Sequence, residues 1–178
     1  MVKDSNKIIG LVGGTFDPAH KGHLAITKIA IKKLKLNKVF WIVTKKNPFK
    51  NNPYYSISQR LQKAKGLAKN IKKIEVVHLD KKASSSRSIN IINYLINRKK
   101  LRDIYFLIGS DNLINFHKWK DWKKIVKLTK LVVFSRRGYD RKGSKSTVVK
   151  YYKKKITFIK NKPIIISSTE LRKARLNN

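Results

Sequence analysis

The chain of 178 residues contains no cysteine. That excludes disulfides, thiolate zinc sites, iron–sulfur clusters and cysteine nucleophiles. Acidic residues are also scarce, 9 against 44 Lys plus Arg, and there are only four histidines: His20, His23, His78 and His117. With so few carboxylates, carboxylate-rich metal cages and paired-carboxylate hydrolase sites are hard to assemble. No apolar run approaches the roughly 18 residues of a membrane span, and residues 1–7 do not lead into the apolar stretch of a signal peptide. The sequence therefore reads as soluble and cytoplasmic, with no membrane partner.

What is present suits one folded domain. Apolar residues make up 41% of the chain and aromatics 10%, enough for a continuous core over 1–178. The net charge of +35 will attract polyanions. The lysines run along nearly the whole chain, and there are 35 of them against 9 arginines. That pattern fits the drift of AT-rich coding, and direct base readers lean on arginine. No specific nucleic acid is implied, although a basic nucleic-acid-binding protein is the alternative from a different class. Either way the field concentrates phosphorylated small molecules near the surface.

Short apolar runs alternate with helical patterns. Strands are expected at Ile8–Val12, Val39–Thr44, Ile74–His78, Asp103–Ile108, Leu131–Ser135, Ile156–Ile159 and Ile164–Ile166. Between them, Ile26, Ala30 and Leu34 give a helical stripe over 22–35. Ser56-x-x-Gln59 is a capping box opening a helix through Leu61, Ala64 and Ala68. Ser88 is placed to cap a helix through Ile89, Ile92 and Leu95, and short helices fit 111–116 and 121–127. Ser167-x-x-Glu170 opens a last helix. Lys45–Pro53 and Arg136–Thr147 read as polar loops. Such alternation gives an α/β, doubly wound, mostly parallel sheet with helices on both faces. Ligands then sit beyond the carboxyl ends of the strands.

The informative string is Gly13-Gly14-Thr15-Phe16-Asp17-Pro18-Ala19-His20-Lys21-Gly22-His23. Two glycines after a strand let backbone approach a ligand. His20 and His23, three apart at a helix start, share a face, and the helix N-terminus favours phosphate. Two imidazoles there can donate to oxygens that gain charge in a transfer reaction. A His-x-x-His pair also fits a metal site, which needs a third ligand from a small supply. The string is neither a Gly-x-x-x-x-Gly-Lys-Ser/Thr phosphate loop nor a Gly-x-Gly-x-x-Gly dinucleotide fingerprint. Near the other end, Ile166-Ser167-Ser168-Thr169-Glu170-Leu171-Arg172 places hydroxyls, amides and an arginine at a helix start, an anion cradle.

Taken together, GGTFDPAHKGH and ISSTELR are similar to the paired signatures of the nucleotidylyltransferase superfamily, and the chain from about residue 8 to 175 resembles the bacterial nicotinate-nucleotide adenylyltransferases. The resemblance implies a Rossmann-like fold and transfer of the adenylyl group of ATP to nicotinate mononucleotide. His20 and His23 would then polarise the triphosphate, with Lys50 and Arg172 neutralising pyrophosphate. Gly13, Gly14, Thr15, Phe16, Asp17, Gly109, Asp111, Ser167, Ser168 and Thr169 would hold the nucleotide. Ser88, Trp119, Arg136 and Arg137 would hold the mononucleotide, Trp119 by stacking and one arginine on its phosphate. Mg²⁺ would arrive bound to ATP, with no protein metal site, and a homodimer is compatible.

Two positions depart from the family pattern. Phe49 stands where the family has His in Pro-His-Lys/Arg, and Arg87 stands where Ser-Tyr-Thr has Tyr. Arg60 falls where the family has a basic residue, and reads alone as a solvated helix charge. The alternatives within the superfamily are enzymes using nicotinamide mononucleotide or phosphopantetheine.

Overall fold

The structure is a computed structural model that describes residues 7–47, 49, 51–162 and 166–176, with side chains to residue 172. Its frame is a six-stranded sheet in the order β3-β2-β1-β4-β5-β6. The strands are β1 (Ile8–Gly14), β2 (Lys38–Val43), β3 (Ile74–Val77), β4 (Asp103–Gly109), β5 (Lys130–Phe134) and β6 (Ile156–Ile159). Every pairing is parallel, where a mostly parallel sheet was expected. Parallel neighbours need crossovers, and the helices supply them: α1 (Lys21–Lys33), α2 (Ile57–Ala68), α3 (Ser88–Lys99), α4 (Ser110–Ile114), α5 (Trp122–Leu128), α6 (Asp140–Ser144) and α7 (Thr147–Tyr152). A last helix, α8 (Ser168–Leu176), follows the sheet.

Strand alternation splits the core between the two faces. On one face Leu11, Phe106, Ile108 and Leu131 pack with Ile92 and Leu95 of α3 and Ile125 of α5. On the other, Val12, Trp41, Leu107 and Phe134 pack with Ala30 of α1 and Ala64 of α2. Burial of such side chains contributes about 1.5–3 kcal/mol each. Strand order reverses between β1 and β4, so their carboxyl ends open a crevice there.

The Ser56–Gln59 capping box is present in both directions. Four expectations are corrected. Ser88 does not cap α3: the N-cap is Arg87, without a side-chain cap bond, and Ser88 is already helical. The stretch expected helical to 116 ends as α4 at Ile114, followed by a 3-10 turn over Phe116–Lys118. Arg136–Thr147 is not one loop, since α6 lies within it and α7 begins at its end. Asp140 explains this, accepting from Ser110 Oγ at 2.6 Å and from the Arg136 amide at 2.9 Å. Gly143 lets α6 lie close, because a Cβ there would sit 3.0 Å from the Ser110 carbonyl oxygen. Finally, Ile166 is not in a strand; Ile164 and Ile165 lie outside the described residues.

Candidate active site

A cavity of about 470 Å³ opens at the carboxyl ends of β1, β2, β4 and β5. Its floor is the end of β1 and the bend after it, Gly13, Gly14, Thr15 and Phe16. Phe16 adopts φ 49°, a left-handed conformation that is costly for a residue with a bulky side chain. Packing holds it there: its ring is buried and stacks on Trp41 at 5.3 Å, with the His23 ring 4.7 Å away on another side.

The two imidazoles are fixed by a reciprocal cap. The Gly22 amide donates to His20 Nδ1 at 3.1 Å, and the His20 amide donates to His23 Nδ1 at 3.2 Å. The ring centroids lie 3.9 Å apart. An Nδ1 that accepts leaves the proton of a neutral imidazole on Nε2, so both rings present an Nε2–H donor. Both residues line the cavity. The His20 pKa is lowered from 6.5 to about 4, mainly by burial and then by the charge of Arg136, against an opposing pull from Glu170. His20 is therefore neutral at pH 7. Thr27 supports this helix start from behind: its hydroxyl donates to the His23 carbonyl at 2.8 Å and accepts from Trp41 Nε1 at 2.9 Å.

The C-terminal segment closes onto the same bend. Ser168 Oγ donates to the Pro18 carbonyl at 2.9 Å across 150 residues of sequence. Arg172 donates to the Asp17 carbonyl, faces the Asp17 carboxylate at 3.4 Å, and reaches Thr169 Oγ1 at 3.3 Å. Ser167, with its hydroxyl capping Glu170, lines the cavity together with Ser168, Thr169 and Arg172. Asp17 is buried and does not line the cavity; its oxygens accept from the Tyr54 and Tyr55 amides at 2.8 and 2.9 Å. Its side chain thus positions Arg172 and the 54–55 segment rather than facing a ligand.

On the far side of the crevice, Gly109, Asp111, Arg136, Ser88 and Trp119 line the cavity. Arg136 pairs with Asp111 at 2.9 Å. The other Asp111 oxygen is buried without a hydrogen-bond partner, and it sits 2.4 Å from where a Gly109 Cβ would be. A Cβ at residue 109 would push the Asp111 carboxylate out of this place. Trp119 stacks on Phe116 with centroids 5.0 Å apart and packs edge-on to Phe106. Arg137 is exposed and outside the cavity wall. Lys50 lies outside the described residues; Phe49 is exposed at the cavity's edge. Among the described residues no three His, Asp or Glu side chains cluster as metal ligands.

Arg60 is not the solvated charge its position suggested. It is 2% exposed. Its guanidinium donates to the carbonyls of Thr15 and Thr44 at 2.7 Å each, Tyr55 at 2.9 Å and Lys45 at 3.1 Å. Burial lowers its pKa, with Asp17 and Asp80 opposing. The signal was its spacing: Arg60 lies four and eight residues before Ala64 and Ala68, in the buried stripe of α2.

Residues 11–174 match the cytidylyltransferase-like family. A probable nicotinate-nucleotide adenylyltransferase of Pelagibacter ubique (strain HTCC1062) is 46% identical over 180 residues, 97% of this chain and 99% of that protein. One of the same description from Aliarcobacter butzleri (strain RM4018) is 34% identical over 132 residues, 74% of this chain and 72% of the relative. The Plasmodium falciparum nicotinic acid mononucleotide adenylyltransferase complexed with NaAD superposes with a TM-score of 0.75 at 18% identity, covering 94% of this chain and 83% of that one.

Proposed function

The chain belongs to the cytidylyltransferase-like family, and from that premise we infer that it is a nicotinate-nucleotide adenylyltransferase of NAD biosynthesis. It transfers the adenylyl group of ATP to nicotinate mononucleotide and works in the cytoplasm. The observation that carries the reading is the meeting, in one cavity, of His20 and His23 from the start of the chain with Arg172 from its end, opposite Trp119 and Arg136.

The chemistry follows from these groups. A 5′-phosphate oxygen of the mononucleotide attacks the α-phosphorus of ATP in line. The bond from that phosphorus to the β-bridging oxygen breaks, and pyrophosphate leaves with the electron pair. Deamido-NAD is the other product. A phosphate monoester with a second pKa of about 6 is already ionised at pH 7, so the attack needs no general base. What remains is positioning and charge stabilisation.

The Nε2–H groups of His20 and His23 donate to the triphosphate, and Arg172 and Lys50 neutralise the pyrophosphate. The end of β1 with the bend after it, Gly13–Phe16, and the Ser167–Thr169 helix start hold the nucleotide. The unpartnered Asp111 oxygen accepts from a ribose hydroxyl. Arg136 takes the mononucleotide phosphate and Trp119 stacks on the pyridine ring. Mg²⁺ enters as part of the ATP substrate, held by its phosphate oxygens.

The test is pyrophosphate release from ATP with nicotinate mononucleotide, nicotinamide mononucleotide or phosphopantetheine as acceptor. The first should be turned over fastest; preference for phosphopantetheine would overturn the substrate. Replacing one donor of this kind typically costs about 10²–10³ in rate. His23→Ala should lose that much kcat while keeping its fold by circular dichroism. Near-wild-type turnover in the folded variant removes the His23 imidazole from the mechanism.

A further inference from the structure

The imidazoles and most of the cationic side chains of the cavity arrive from opposite faces of the sheet. His20, His23 and Arg172 belong to α1 and to the segment tied onto the bend before it, on the face packed by Ala30. Arg87 belongs to the start of α3, and Lys118 and Lys120 flank Trp119; these come from the face packed by Ile92 and Ile125. The reaction proposed above uses the first group, with Arg136 at the crevice between, on phosphates. It leaves the second group without a task.

Arg87 is the best placed of that group. Its amide donates to Ser85 Oγ at 3.0 Å, which fixes the backbone just ahead of the helix. Among the described residues its guanidinium has no salt bridge to a carboxylate. Asp111 is the carboxylate among the described lining residues, and Arg136 already pairs with it. No acidic residue stands in the first turn of α3, and no side chain caps it, so the potential at this end of the cavity stays positive. Trp119 and the start of α3 pack on one core cluster, so a ring stacked on Trp119 lies on the Arg87 side of the sheet.

We propose that Arg87 is a specificity-determining residue, its guanidinium pairing with the ring carboxylate of the mononucleotide and so selecting the acid over the amide. The assignment rests on the function inferred above. A planar guanidinium fork matches a carboxylate, whereas the carboxamide in the same place offers one neutral acceptor and no charge. Lys118 and Lys120, exposed as Arg87 is, are point charges on flexible stems and carry no such directional preference.

The experiment compares Arg87→Gln and Arg87→Lys with the wild-type chain, measuring kcat/KM for nicotinate and nicotinamide mononucleotide and KM for ATP. Loss of a charge-assisted hydrogen bond should lower kcat/KM for the acid by about 10- to 100-fold in the Gln variant. The value for the amide should stay within about twofold and the ATP KM should not move, since the proposal assigns Arg87 to the ring carboxylate and to no phosphate. Lysine, keeping the charge, should restore part of the loss. An equal loss with both mononucleotides would mean a phosphate or folding role and overturn the proposal, as would a Gln variant with undiminished preference for the acid. Wild-type protein that turns over neither mononucleotide overturns the function itself, and Arg87 with it. That result differs visibly from an active wild type with an unaltered Gln variant.

Discussion

His20 shows how backbone geometry decides the state of a side chain. Its Nδ1 accepts the Gly22 amide, its ring is half-buried, and Arg136 stands near enough to disfavour a second positive charge. All three favour the neutral ring with its proton on Nε2, the form that donates to a phosphate oxygen. A bound triphosphate would pull the pKa back up, so substrate and proton favour each other at this residue. The consequence for stability has a definite sign. In the unfolded chain His20 titrates near 6.5, and in the folded chain near 4. Between those values the unfolded state holds more protons, so the folded state loses stability as pH falls. Urea unfolding of the wild type and of His20→Asn should show the wild type's relative stability declining between about pH 7.5 and pH 5. A difference that stays constant over that range would show that the ring is not held neutral.

At the scale of elements, Arg60 ties together what the strands deliver separately. Its four acceptors belong to the bend after β1, the end of β2 and the approach to α2. One guanidinium therefore sets the spacing between the bend after β1 and the loop beside it. Arg60→Met would leave four carbonyls without that partner in a buried place, and breaking a network of this kind costs about 3 kcal/mol or more. Arg60→Lys keeps the charge but not the fork. It should fold, with KM for ATP raised and KM for the mononucleotide unchanged, because Thr15 belongs to the nucleotide side alone. Equal changes in both constants would reduce Arg60 to a general stabiliser.

The same residue marks the limit of what sequence alone could tell. Periodicity and capping boxes were legible because they are local: the apolar runs from Ile8–Val12 to Ile156–Ile159 became the six strands, and Ser56–Gln59 and Ser167–Glu170 opened helices as their spacing implied. The two-signature site was legible because its donors are grouped by type and spacing. Arg60, the Asp17 hub and the Ser110–Asp140 latch were not, since each gains its meaning from at least one partner 30 or more residues away. A charged residue in a buried stripe looks like an exposed one until its acceptors are known. Likewise α6 exists because Asp140 reaches Ser110, a contact no local propensity encodes.

The whole molecule carries +35 on 178 residues, while its carboxylates are largely engaged with neighbouring amides and cations. Its substrates are polyanions, so the field that drift in composition would produce also acts on catalysis. Long-range attraction raises the local concentration of ATP and mononucleotide and falls away as salt shortens the screening length, about 10 Å at 0.1 M. The donors inside the cavity act at contact distance in a partly desolvated place and are screened much less. Raising sodium chloride from about 0.05 to 0.5 M should therefore lower kcat/KM several-fold through KM, with kcat nearly constant. If kcat falls in step instead, salt is reaching the contacts that stabilise the adenylyl group in transfer, and the cavity is more open than its buried Asp111 oxygen and half-buried His20 imply. A kcat/KM indifferent to salt would mean that the surface charge plays no part in capture, and that His20, His23, Arg136 and Arg172 supply the whole of the attraction at short range.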